Sequence, residues 1–253
     1  MEALQIREHY EVLRRIHFLN RRMSWLHRIQ GVDISRSFEY SEASVRLTSV
    51  PKGCLLDIGS YRSPFPVFLA QQGYQVCLVD IHPAISQQTK WARRALGASI
   101  SWLAVQADGT YLPFPDLSFD AVTCISTIEH LPGDADIHMA REMGRVLKAG
   151  GGCFLSVPYS TVAREGKWGR WFQRWFDLPT AMARLVQPSG LSLTSYGFLM
   201  GGVVGKIADI WYAQPRLLRH ILSWAHILLF PTAFKKDTPG QHDARVLWLF
   251  LQR

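Results

Sequence analysis

Apolar side chains recur at helical spacing through the first thirty positions: Leu4, Tyr10, Leu13, Ile16, Leu19, Met23 and Leu26, with arginines on the other face. The spacing predicts one or two helices. A turn at Gly31-Val32-Asp33 leads to a further helix through Phe38 and Val45, which ends before Pro51. The pattern then changes to short apolar runs separated by amphipathic stretches. The runs predict strands near 53–58, 75–80, 101–106, 120–126 and 152–157, and the amphipathic stretches predict helices near 65–73, 84–96 and 135–148. Lys148-Ala149-Gly150 supplies a basic helix end followed by glycine. Strands that are apolar throughout, alternating with helices, indicate a parallel sheet covered on both faces.

After residue 160 the aromatic residues Trp168, Trp171, Phe172, Trp175 and Phe176 follow one another at intervals of three, one, three and one. This spacing predicts one helical face, with Arg170, Gln173 and Arg174 opposite, and such a helix would serve as a moving lid. A strand near 191–198, helices near 203–213 and 216–229, and a closing strand within 244–251 complete the chain. The expected fold class is α/β: a doubly wound, mostly parallel seven-stranded sheet with helices on both faces, an N-terminal helical cap and a C-terminal helical insertion. The expected division is a cap over 1–50, a nucleotide-binding core over 51–160, and lid or substrate helices over 161–253 that also provide the last two strands.

The chemistry begins at Cys54-Leu55-Leu56-Asp57-Ile58-Gly59-Ser60, a buried strand that ends in an acid and a glycine turn. The next apolar run, Val76-Cys77-Leu78-Val79, ends in Asp80. A nucleotide-binding α/β fold needs this pairing. The turn brings backbone N–H groups close to the ligand, and the second strand offers a carboxylate to a ribose diol.

Composition adds bounds. The 253 residues can bury one substantial core. Arginines at 7, 14 and 15 interrupt the start, so no secretory leader is expected. Cys54, Cys77, Cys124 and Cys153 lie in or beside strands and lack C-x-x-C spacing, which favours reduced, buried thiols, a reducing cytoplasmic compartment and no metal site. The net charge of +8 is uneven: residues 161–253 hold 12 basic and 5 acidic side chains, whereas 51–160 hold 8 and 9. Anionic substrates, a lipid surface or nucleic acid would each account for a basic final third.

Several motifs in order resemble the class I S-adenosylmethionine-dependent methyltransferases over roughly 51–158. They are Asp57-Ile58-Gly59-Ser60; Asp80; Gln106-Ala107-Asp108-Gly109; Leu112-Pro113-Phe114-Pro115-Asp116; Ser118-Phe119-Asp120-Ala121-Val122 leading into Ser126-Thr127-Ile128-Glu129-His130-Leu131; and Arg145-Val146-Leu147-Lys148-Ala149-Gly150-Gly151. The resemblance implies S-adenosyl-L-methionine as cofactor, with Asp57, Gly59, Ser60 and Tyr61 under its methionine part. It also implies Asp80 on the ribose, Ile81 against adenine, Asp108-Gly109 at the adenine amino group, and Ser126 beside the sulfonium. The family pattern has glycines where this chain has Tyr61 and Ser63. The Tyr61 ring would either line the substrate pocket or weaken cofactor binding. Asp108 fits a plain turn residue equally well.

His130, just past the fourth strand, suits a general base because an unperturbed imidazole titrates near pH 6.5; a packed, hydrogen-bonded histidine is the alternative. Glu129 and Tyr159 complete the catalytic candidates. The expected function is methyl transfer to a hydroxyl or amine of a small or amphiphilic metabolite (a sugar, lipid or secondary metabolite), with RNA methylation or a non-catalytic binding protein as alternatives. Ile128-Glu129-His130 also resembles the matching segment of cyclopropane fatty acid synthases. Peripheral membrane contact through 168–176 and 217–230 is expected on the aromatic and arginine pattern.

Overall fold

The structure, a computed structural model, describes residues 2–98, 100–215 and 243–253. Three helices open it: α1 (Glu2–Met23), α2 (Trp25–Gln30) and α3 (Ile34–Leu47). The Ser24 and Asp33 side chains accept from backbone N–H groups at the starts of α2 and α3, satisfying donors that a helix start leaves open. The core then alternates β1 (Cys54–Ile58), α4 (Phe65–Gln71), β2 (Gln75–Asp80), α5 (Ser86–Leu96), β3 (Trp102–Gln106), β4 (Phe119–Ile125), α6 (Ala135–Val146) and β5 (Leu147–Pro158). The sequence-predicted helix to residue 148 therefore stops two residues early, and β5 begins at Leu147.

The first region to depart from expectation is 164–175. It forms a two-stranded hairpin, β6 (Arg164–Trp168) and β7 (Trp171–Trp175), and no aromatic helix. Intervals of three and one suit a helix face, but they also suit two strands joined by a tight turn. Gly169, at φ 63°, is the first residue of the two-residue loop and supplies the backbone sign that such hairpins need. Gln173 and Arg174, expected on a solvated face, are both buried.

Then come α7 (Leu178–Ala181), a π-helical turn (Met182–Val186), α8 (Gln187–Ser189), β8 (Ser192–Leu199), α9 (Gly202–Ala213) and β9 (Val246–Gln252). The expected helix at 216–229 and the membrane segment at 217–230 lie outside the described residues.

The main sheet has seven strands in the order β3-β2-β1-β4-β5-β9-β8, and only β9 runs antiparallel to its neighbours. Side chains alternate across it. Leu55, Ala121, Phe154 and Phe250 join the core under α1, α3, α4, α5 and α9. Leu56, Val122, Cys153 and Leu249 join the core under α6 and the 178–189 segment. Both faces are thus covered, which explains the uninterrupted apolar strands. Chain order reverses between β1 and β4, and this is where a doubly wound sheet opens a crevice for ligands.

Candidate active site at the β1–β4 crevice

The turn after β1 is set by its own side chains. Asp57 is buried and accepts from the hydroxyls of Ser60 (2.6 Å) and Thr123 (2.5 Å); burial pushes its carboxyl up to about 6. Gly59 has φ +82°, and a Cβ there would lie 2.1 Å from Thr127 Oγ1, so no side chain fits without displacing Thr127. Tyr61 itself has φ 20°, and its N–H donates to Asp80 Oδ2 at 2.9 Å. The Tyr61 ring lies against His82, with centroids 4.5 Å apart.

Buried Gln88 of α5 replaces part of what the missing glycines would do. Its Nε2 lies 2.9–3.2 Å from the carbonyl oxygens of Ser60, Tyr61 and Ser63, and so clamps the loop from behind. Sequence reasoning missed Gln88. The available signal was an amide sharing the buried stripe of Ala92 and Ala95.

A cavity of about 240 Å³ opens over this turn. Asp57, Gly59, Ser60, Tyr61 and Ser126 line it, and Asp33, Arg36 and Tyr40 of the N-terminal helical region form its far wall. The remaining expected cofactor residues lie outside its lining. Asp80 accepts from His82 N–H as well as from Tyr61, at the open ends of β2 and β3. Ile81 is 70% exposed. Asp108 Oδ1 caps its own turn by accepting from the N–H and hydroxyl of Thr110. Gly109 is buried, and the Met139 methyl lies 2.4 Å from where a Cβ would stand.

A second cavity, of about 290 Å³, adjoins the first; Arg36 and Ser126 line both. Ser126 sits at φ 44°, and its hydroxyl donates to Glu39 Oε1 at 2.6 Å. Ser156 donates to the same oxygen at 2.8 Å, while Arg36 Nη1 pairs with Glu39 Oε2 at 2.5 Å. Glu39 is a site residue that the sequence did not reveal.

His130 also lines the second cavity. Its Nδ1 is 2.8 Å from the Phe172 carbonyl oxygen, which can only accept, so Nδ1 carries the proton and Nε2 the lone pair. Burial pushes the imidazole pKa down, so the ring is neutral near pH 7. Beside it Glu129 is 2% exposed, with Oε1 3.8 Å from His130 Nε2; burial pushes this carboxyl up to about 8, against the opposing pull of Arg36. The hairpin contributes Trp168, Gln173 and Trp175 to the cavity wall, and Met200, Tyr212 and Val246 close the other side.

One catalytic expectation is corrected here. Tyr159 is 5% exposed, packs edge-on against Phe198 at 4.8 Å, and belongs to the core under α6, so it lines neither cavity. Its position one residue past β5 turns the ring into the sheet packing. The Tyr61 ring lines the first cavity only, because its backbone is tied to Asp80 and its ring rests on His82.

A Gly-turn at a strand order reversal, with a carboxylate ending the neighbouring strand, defines a nucleotide-binding doubly wound domain. Residues 56–155 match the family model described as a methyltransferase domain. Over this stretch the chain is similar to the S-adenosylmethionine-dependent methyltransferases, and its sheet has their class I fold. Its relatives include a demethylmenaquinone methyltransferase of Deinococcus radiodurans, 31% identical over 62% of this chain and 63% of the relative. A ubiquinone biosynthesis O-methyltransferase of Xanthomonas euvesicatoria pv. vesicatoria is 25% identical over 64% and 70%. The match thus spans less than two thirds of the Deinococcus protein. Among solved structures, the [4+2]-cyclase SpnF superposes with a TM-score of 0.60 at 17% identity, covering 88% of this chain and 83% of that one. The 1,6-didemethyltoxoflavin-N1-methyltransferase of Burkholderia thailandensis, with S-adenosylhomocysteine bound, gives 0.59 at 16%, covering 87% and 79%. At these identities the structural likeness is one of fold.

Proposed function

We propose that this protein transfers the methyl group of S-adenosyl-L-methionine to a hydroxyl or amine of a small, ring-bearing or amphiphilic acceptor. The observation that carries this reading is the junction of the two cavities at Ser126 and Arg36, with His130, whose Nδ1 is held by the Phe172 carbonyl, in the lining of the second. The residues present fit the cofactor. Gly59 leaves a cradle that a Cβ would fill, and Asp57 offers a buried carboxyl to an ammonium group. Each Asp80 oxygen accepts from one backbone N–H and keeps a lone pair for a ribose hydroxyl. Ile81 offers an exposed apolar surface to adenine, and Asp108 keeps Oδ2 for its amino group. When bound, S-adenosylmethionine supplies an already activated methyl group, so the protein's part is alignment and exclusion of water. His130 Nε2 takes the acceptor's proton, while the Phe172 carbonyl holds the ring in that tautomer.

The indoles of Trp168 and Trp175 favour a flat apolar body in the acceptor. The quinone-pathway names of the relatives agree with a small-molecule acceptor. A volume of about 290 Å³ suits a metabolite better than a folded RNA. The hairpin tip also supports peripheral contact with an anionic bilayer, since Trp168 and Trp171 are 56% and 54% exposed beside the exposed Arg164, Lys167 and Arg170.

Calorimetric titration with S-adenosylhomocysteine tests the core of this reading. Binding is expected, weakened at least about tenfold by Asp80→Ala through the lost charge-assisted hydrogen bonds. Absence of heat in the unmodified protein overturns it.

A further inference from the structure

Two cations other than histidine line the second cavity, and each already has a carboxylate. Arg36 pairs with Glu39 at 2.5 Å, and Arg245 pairs with Asp209 at 2.9 Å. Among the described residues Glu129 forms an ion pair with neither arginine, and the pull of Arg36 only partly offsets its burial. The neighbouring His130 is neutral and presents a lone pair. A buried carboxylate without an ion-pair partner is costly, so the group keeps its proton. Burial pushing its pKa up to about 8 agrees with this count.

A protonated carboxyl has an O–H donor as well as an acceptor oxygen. Glu129 Oε2 is buried and has no hydrogen-bond partner among the described residues. An unmade hydrogen bond at such an atom costs about 1–3 kcal/mol, so a ligand that completes it gains that much in selectivity. The Oε1 atom of the same carboxyl is 3.8 Å from His130 Nε2. Both residues line the second cavity, so a carboxyl donor and an imidazole acceptor are neighbours in its lining. Their complement is a molecule with a hydroxyl proton for Nε2 and, on the neighbouring atom, an oxygen lone pair for Glu129.

We propose that Glu129 is a neutral hydrogen-bond donor that holds an oxygen of the acceptor next to the hydroxyl deprotonated by His130. The site thereby selects ring hydroxyls with an oxygen on the adjacent carbon. The inference rests on the methyl-transfer reading and adds the shape of the acceptor. Glu129 is then a specificity residue, and His130 remains the base.

The test uses the full chain loaded with S-adenosylhomocysteine and two probes, 2-methoxyphenol and phenol, whose binding is followed by indole fluorescence. The unmodified protein is expected to favour 2-methoxyphenol by about tenfold, the value of one hydrogen bond of roughly 1.4 kcal/mol. Glu129→Gln, which keeps an N–H donor, retains most of the preference; Glu129→Ala loses it. The infrared C=O band of a protonated carboxylic acid, present at neutral pH, is expected to vanish in Glu129→Gln. Equal or undetectable binding of the two probes, a preference that survives Glu129→Ala, or no change in that band overturns the proposal. S-adenosylhomocysteine affinity is measured on the same samples. Its absence defeats the methyl-transfer reading itself, whereas normal affinity with no probe preference defeats only the role of Glu129.

Discussion

The imidazole Nδ1 of His130 is bound at 2.8 Å to the backbone carbonyl of Phe172, 42 positions later in the chain. The hairpin that walls the second cavity therefore also decides which nitrogen of this imidazole carries the proton. If so, removing the ring should affect chemistry and leave cofactor binding alone. His130→Ala is expected to lower kcat by about a hundredfold or more while S-adenosylhomocysteine affinity stays within about twofold. Unchanged turnover in a stopped assay would remove His130 from the reaction.

Gln88 makes a different prediction, because it holds the loop and not the acceptor. Gln88→Ala strips the Nε2 donors from three loop carbonyls. Cofactor affinity is expected to fall by about tenfold, with a smaller effect on global stability, as lost hydrogen bonds at a mobile-prone turn would give. Equal titration curves for variant and parent would show that the loop holds itself.

The hairpin is locked to the rest of the domain by charge. Arg174 of β7 and Arg184 of the π-helical turn both bind Asp136, whose side chain is fully buried at the start of α6. Asp136→Asn leaves buried Arg174 with the Gly133 carbonyl and, as its remaining carboxylate among the described residues, the exposed Glu165. A loss of about 3 kcal/mol in urea unfolding is expected, together with reduced turnover through the displaced Phe172 carbonyl. Stability unchanged within error would mean that the pair contributes no net energy.

Glu129 links stability to pH. Its carboxyl titrates near 4.5 when exposed and about 8 in the folded protein, so the native state binds the extra proton between these values. Stability from this group is therefore lost as pH rises from about 4.5 to 8. Glu129→Gln has no such proton to lose. The difference in Tm, variant minus parent, is expected to be larger at pH 8 than at pH 5; a pH-independent difference counts against a protonated Glu129.

At the hairpin tip, Trp171→Ser with Arg170→Ser removes one exposed indole and one cation without touching the cavity lining. Co-sedimentation with phosphatidylglycerol vesicles is expected to drop several-fold, with little binding to phosphatidylcholine vesicles in either protein. Failure of the unmodified protein to bind the anionic vesicles rejects the bilayer contact.

What the sequence determined by itself were the features written in local pattern. Uninterrupted apolar runs, amphipathic helical spacing and punctuating glycines placed β1–β5 and their helices within a few residues. Asp57, Gly59 and Asp80 could be picked out because strand, turn and carboxylate are neighbours along the chain. The aromatic run at 168–176 defeated local reading, since its intervals fit a helix face and a hairpin alike. The pairing of β6 with β7 and the burial of Arg174 against Asp136 decide for strands, and that partner lies 38 positions away from Arg174. Glu39 was equally out of reach: it meets Ser126 and Ser156 across 87 and 117 positions. Tyr159 shows the same limit from the other side, because its ring packs against Phe198 of β8, 39 positions away, and lines neither cavity. Local spacing fixes which elements form; the meeting of distant polar groups in one crevice depends on how the sheet stacks them, and only the folded chain decides that.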